Sequence, residues 1–347
     1  MEVKDYLHLL CEQQGPSGFE RPIAELAKEL IKPFVDEAYV DTLGNLVATK
    51  KCGKKNAKKM LIAAHLDEIG LMVNGYEDGF LSFTQVGGVD QRMLPSRDVV
   101  IMTQPPRVGV ICTQPPHVLS AEDMEKAIPM ENLRIDVGLT DAQAKRLIPI
   151  GNPIAFRTEG FELGKDSYVS KTLDDRACFV SLIKAAELLQ KKTLPWDVVF
   201  VGSICEEVGG NGAAVSVFEE APIVCMAIDV THASTPDAQP EAQTHGLSNG
   251  PVLCIGPNIN KVVGDGLFKA AKDNYIPYQT EICPGRTGTD AWAMQITREG
   301  IATGLIELPL RYMHTPVETV SISDIEDCAK LVCAYAQDPG EEVLSWL

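Results

Sequence analysis

Two textures of apolar and polar positions divide the chain. In residues 1–68 and 161–347, apolar runs at 60–64, 198–204 and 223–228, and a further segment at 304–309, read as buried strands. Segments of helical spacing lie between them. Val3, Leu7, Leu10 and Cys11 share one helical face, and Ile23, Leu26, Ala27, Leu30 and Ile31 a second. Val180, Ile183, Leu188 and Leu189 make a third, and Ile325, Cys328, Val332 and Tyr335 a fourth. Ser17-Gly18-Phe19-Glu20 and Ser323-Asp324-Ile325-Glu326 have the form of capping boxes. Strands at 35–39 and 45–49 are joined by a turn, and 50–59 reads as a basic, solvated hairpin tip. From Ile69 the texture changes. Short β-like runs at 71–73, 80–86, 99–102, 108–112, 134–137 and 152–157 are separated by turns, a surface excursion at 121–130 and a short helix at 141–147. The pattern predicts an α/β fold: a mixed-sheet α/β/α domain built from 1–68 and 161–347, interrupted by a small β-rich domain at 69–160.

Several of the buried strands run out into groups that bind cations or move protons. The 60–64 run ends at His65, with Asp67 two residues on, where its carboxylate can orient the imidazole. The 198–204 run ends at Glu206-Glu207. On extended chain these adjacent side chains point in opposite directions, so one faces a metal and the other a substrate. The 223–228 run ends at Asp229, and the 304–309 segment leads to His314. Asp174 and Asp175 sit at the start of the long helix that carries Val180 to Leu189, where acids suit the helix dipole; an Asp there can equally bridge two metal ions, with Arg176 holding its neighbour. Chance explains any one of these endings and explains the whole set poorly, because open α/β sheets bind ligands outside the carboxyl ends of their strands. Two imidazoles with several carboxylates suit Zn²⁺, Co²⁺ or Mn²⁺, in numbers sufficient for two ions.

Composition narrows the function. A net charge of −17 over 347 residues argues against nucleic acid and against an anionic membrane surface as partners. No apolar run is long enough to span a bilayer. The start, Met1-Glu2-Val3-Lys4-Asp5, lacks the basic and apolar parts of an export signal, so a cytoplasmic protein is expected. The ten cysteines include no Cys-x-x-Cys pair and read as reduced, mostly buried thiols, without the spacing of a disulfide framework or thiolate metal site.

Taken in order, His65-x-Asp67-Glu68, Leu173-Asp174-Asp175-Arg176, Glu206-Glu207-Val208-Gly209, Asp229-Val230-Thr231-His232, Gly288-Thr289-Asp290-Ala291 and Arg311-Tyr312-Met313-His314-Thr315-Pro316-Val317-Glu318 resemble the M42 family of dinuclear metalloaminopeptidases. These are the tetrahedral, or TET, aminopeptidases, related to glutamyl aminopeptidase and to proteins once labelled endoglucanase M. The resemblance implies that Asp174 bridges two divalent ions, that His65 and Asp229 complete one, and that Glu207 and His314 complete the other. It implies Glu206 as general base, Asp67 as support for His65, and a metal-bridging water as the nucleophile that releases N-terminal residues from peptides. It further implies that residues 69–160 are a dimerisation domain whose dimers build a hollow homododecamer. Two other classes compete. A glycoside hydrolase needs two carboxyls roughly 5–9.5 Å apart across a sugar. It has no use for His65 and His314, and three Trp offer little sugar stacking. A non-catalytic assembly protein with a vestigial site would not need every ligand type intact.

Overall fold

The computed structural model describes residues 1–239 and 242–347. Its main body is an eleven-stranded mixed sheet, as the apolar runs imply. Four parallel strands form the centre, in the order Asp197–Ser203, Lys59–His65, Val224–His232 and Ala302–Arg311. Alternate residues feed two cores. Met60, Ile62 and Ala64, with Val198, Phe200, Met226 and Ile228, pack under helices Val3–Glu12, Arg21–Ile31, Leu173–Leu189, Lys261–Asp273 and Ile322–Gln337. Leu61, Ala63, Val199, Val201, Cys225 and Ala227 pack against helices Asn211–Glu220 and Asp290–Gln295 on the opposite face. Strands buried on both sides carry few polar residues, and His65, Asp229 and Glu307 fall in the carboxyl-terminal halves of theirs, where the chemistry gathers.

Strands Gly70–Glu77, Phe80–Val86, Asp98–Ile101, Arg107–Cys112, Arg134–Asp136 and Pro153–Phe156 close into a separate six-stranded barrel with its own apolar core. The chain then returns to the large sheet through Phe161–Leu163 and Ser167–Ser170. The fold is thus α/β with a large mixed sheet and a small barrel. Among the described residues no helix is long and apolar enough to cross a membrane.

Local readings change in five places. Residues 50–59 are not a hairpin tip, because strand Asp197–Ser203 inserts between Leu46–Lys50 and Lys59–His65 and pairs with both. The helix expected from Ser323 begins at Ile322 and is capped by Ser321, whose hydroxyl accepts from the Asp324 amide at 3.3 Å, and a short helix, Glu341–Leu344, follows it. Ser17 and Glu20 do not form a capping box either; both reach into the site. Asp174 and Asp175 have non-helical backbones, so they are not ordinary helix-start acids. Arg176 does not hold Asp175: its guanidinium donates to the carbonyls of Leu66 (2.9 Å) and Leu10 (2.8 Å), tying the end of the 59–65 strand to the first helix.

Candidate metal centre

The parallel strands deliver their terminal groups to one end of the sheet. His65 is the last residue of its strand and is buried. Its Nε2 lies 3.0 Å from Asp174 Oδ1, and its Nδ1 lies 3.2 Å from the Asp67 carbonyl and 3.4 Å from Asp67 Oδ1. The other oxygen of Asp174, Oδ2, lies 3.3 Å from His314 Nε2, and the same nitrogen lies 3.3 Å from Glu207 Oε1. One carboxylate therefore stands between two imidazoles. His65, Asp174 and Glu207 form one group with the spacing to hold a cation, and His65, Asp175 and Asp229 form another. Asp174, Glu206, Glu207, Asp229 and His314 all line an open cavity of about 420 Å³.

Glu206 and Glu207 do not sit on extended chain. They open a turn closed by the Gly209 amide donating to the Glu206 carbonyl at 2.9 Å. Asp67 fixes that turn. Its Oδ1 accepts from the Glu206 amide at 3.1 Å, and its Oδ2 accepts from the Glu207 amide at 3.2 Å and the Ser17 hydroxyl at 2.6 Å. Asp67 therefore touches His65 and also anchors the backbone of both glutamates. Glu20 accepts from the Cys205 amide at 3.1 Å, one residue before the pair.

Several supporting contacts could not be read from the sequence, although Asp175 and Glu318 stand within its motifs. Glu318 is buried and accepts from the amides of Asp174 (3.0 Å) and His314 (2.9 Å), which ties two far-apart segments together. Asp175 accepts from the His65 amide at 3.0 Å. The Gly88 carbonyl, in the turn leaving barrel strand Phe80–Val86, lies 2.9 Å from His314 Nδ1. A side chain at Gly88 would meet His314 Nδ1 at 3.0 Å, so glycine permits that approach. Left-handed backbone at the non-glycine residues Thr172, Cys205, Tyr312 and His314 also falls beside the site, the usual place for strain of roughly 1–3 kcal/mol per residue.

The electrostatics call for positive charge. Asp174, Asp175, Glu206, Glu207 and Asp229 converge here, and among the described residues no Lys or Arg nitrogen lies within 4.0 Å of any of them. Burial, aided by the neighbouring carboxylates, pushes Glu206 up to about 8 and raises Glu207, Asp175 and Asp229. Burial opposes charge on His314, but Asp174 and Glu207 outweigh it and lift the imidazole to about 11. Burial likewise opposes charge on Asp174, yet His314 and His65 hold it below the usual carboxylate range. Asp175 Oδ1 is buried with no hydrogen-bond partner. Excess carboxylate, two imidazoles and an orphaned oxygen are what divalent cations would balance, so the residues present fit a metal centre.

Known proteins give this arrangement a class. The chain is 36% identical over 335 residues to lysyl aminopeptidase of Pyrococcus furiosus, with 95% of each chain covered. An aminopeptidase of Desulfurococcus kamchatkensis superposes with a TM-score of 0.88 at 36% identity, covering 97% of this chain and 95% of the other. The TET1 peptidase of Pyrococcus horikoshii does so with a TM-score of 0.85 at 30% identity, covering 97% and 100%. Fold, site and relatives define a peptide hydrolase of the aminopeptidase class. Within it, the chain belongs to the M42 glutamyl aminopeptidase family, which it matches over residues 44–331. That family is metal-dependent, in keeping with the clustered ligand groups.

Proposed function

We propose that this protein is a two-metal aminopeptidase that removes the N-terminal residue of peptides. Two divalent ions, Zn²⁺, Co²⁺ or Mn²⁺, would be held by Asp174 in common, with His65 and Asp229 for one and Glu207 and His314 for the other. The observation that carries this reading is the placing of Asp174 Oδ1 3.0 Å from one imidazole and Oδ2 3.3 Å from the second. Bound there, the ions would supply Lewis acidity, polarising the peptide carbonyl and making a water acidic. Glu206, without a fixed cationic partner and facing the cavity, takes the proton of the attacking water and returns it to the leaving amine. A nearby cation favours the ionised form of Glu206 that a base needs. Asp67 keeps His65 and the glutamate turn in register.

Residues 69–160 serve as a dimerisation domain, set into a catalytic domain of 1–68 and 161–347. Pyrococcus horikoshii TET1 assembles into a tetrahedron or a large octahedral shell, and the same route, dimers building a homododecamer, suits this chain. Val108 and Val110, 53% and 42% exposed on one barrel strand, leave apolar surface for such a contact. Side-chain preference does not follow from the family, since its relatives include both a lysyl and a glutamyl aminopeptidase. The test is metal analysis with a pair of substrates. Two ions per chain are expected, with cleavage of a free-amine peptide and none of its N-acetylated twin. Equal cleavage of both would overturn the reading.

A further inference from the structure

The active cavity has a second acidic wall that neither the metal ligands nor the base uses. In the parallel register, Glu307 is the direct neighbour of Asp229 on the adjoining strand, and the two side chains share a face of the sheet. Glu307 is 4% exposed and still lines the cavity. Glu281 reaches the same wall from strand Gln279–Ile282. Its Oε2 accepts from the Thr231 hydroxyl at 2.7 Å and lies 3.0 Å from His245 Nε2, which holds the carboxylate two residues beyond Asp229. Glu281 and Glu307 both line the cavity. Behind them, Cys254 Sγ donates to Glu307 Oε2 at 2.8 Å, an anchor from the rear that fixes the carboxyl towards the cavity.

Charge balance decides what this wall is for. Among the described residues no Lys or Arg nitrogen lies within 4.0 Å of Glu281 or Glu307, and His245 is the basic group that touches either. Adjacent carboxylates with low-dielectric walls need a proton or a cation between them. Arg286 is turned over the Trp292 ring at 4.9 Å. One strand spacing is roughly 5 Å. A residue whose carbonyl lies between Asp229 and Glu206 can therefore extend a long side chain along the strand ends to Glu307 and Glu281.

We propose that Glu281 and Glu307 form the side-chain subsite of the aminopeptidase site and select substrates whose N-terminal residue is lysine or arginine. This rests on the aminopeptidase reading above and adds the substrate class. The cationic head enters between the two carboxyls and pairs with both. A neutral side chain leaves the pair uncompensated, and an acidic one meets like charge in a confined space.

The test uses the metal-reconstituted full-length enzyme and aminoacyl p-nitroanilides of Lys, Arg, Leu and Glu. The expected kcat/KM for Lys and Arg exceeds that for Leu by at least tenfold, with Glu slowest. In Glu307→Gln and in Glu281→Gln the Lys-to-Leu ratio falls at least tenfold, mainly through KM for Lys, because a desolvated charge pair has been broken. Raising salt narrows the ratio far less than either substitution does, since the pair is screened from solvent. A wild-type enzyme that cleaves Leu or Glu anilide as fast as Lys overturns the subsite and leaves the aminopeptidase reading standing. Ratios unchanged in both variants do the same. Absence of cleavage of any of the four substrates removes both.

Discussion

The large sheet and the small barrel use the same alternation of side chains to opposite ends. In the sheet, both faces of the central strands are buried, so buried acidic and imidazole groups fall in the carboxyl-terminal halves of the strands, as His65, Asp229 and Glu307 do, and they appear together. In the barrel one face is core and the other is open, and Arg107–Cys112 alternates partly buried and exposed residues with buried ones. The sheet concentrates chemistry at its edge, whereas the barrel spreads its outward residues over a surface. A dry two-sided strand makes a reaction centre, and a half-wet one makes a contact face.

The sharpest way to break that contrast is at the strand end. Glu206→Gln is expected to lower kcat by roughly a thousandfold, within the range general-base removal costs, while bound metal and melting temperature stay near wild type. Full turnover in this variant would take Glu206 out of the base role. A smaller loss is expected from Asp67→Asn, about ten- to a hundredfold in metal affinity, since it weakens the support of His65 and the anchoring of both glutamate amides. Metal titration followed by calorimetry would show it; unchanged affinity would mean the turn holds itself.

Protonation offers a comparison within the sheet. Glu206 lies at about 8 in the metal-free fold, above its ordinary 4.5, and Asp229 and Asp175 are raised too. Between those values the folded chain keeps protons that the unfolded chain releases, so stability falls as pH rises through about 8. His314, lifted to about 11, acts in the same direction at higher pH. The melting temperature of chelated protein is therefore expected to drop by several degrees from roughly pH 5 to pH 9, with the gain from added Zn²⁺ widening over the same span. A gap that stays constant with pH would mean that these carboxyls are compensated without metal. The smallest effect on chemistry is expected in the barrel. Val108→Lys with Val110→Lys should shift the assembly towards smaller species in sedimentation, while changing kcat per chain less than threefold. Unaltered assembly would move the contact face elsewhere.

Much of the candidate centre could be read from the chain because most of its proposed ligands follow a buried run. His65, Glu206, Glu207, Asp229 and His314 announce themselves that way, and the structure brings His65, Asp174, Glu207 and His314 within 3.3 Å steps of one another. What escaped depends on which strands become neighbours, which local spacing does not encode. Strand Asp197–Ser203 entering beside Leu46–Lys50 turned an expected hairpin into a crossover. Glu318 stands within a motif, but only the convergence of two loops makes it a clamp. Absent Cys-x-x-Cys spacing hid Cys254, Cys283 and Glu307, which the sheet gathers from three strand regions into a buried cluster. All ten cysteines are free thiols, in line with the reduced reading.

The Gly88 carbonyl beside His314 has a consequence for inheritance between the two lobes. A carbonyl accepts and never donates, so hydrogen stays on Nδ1, and Nε2 is the nitrogen left with a lone pair to offer a cation. The tautomer of a residue in one lobe is thus dictated by a peptide group belonging to the other. Grafting a foreign barrel between the same junctions would have to reproduce that single oxygen, or His314 would lose the acceptor that orients its ring while the recipient kept every residue of its own.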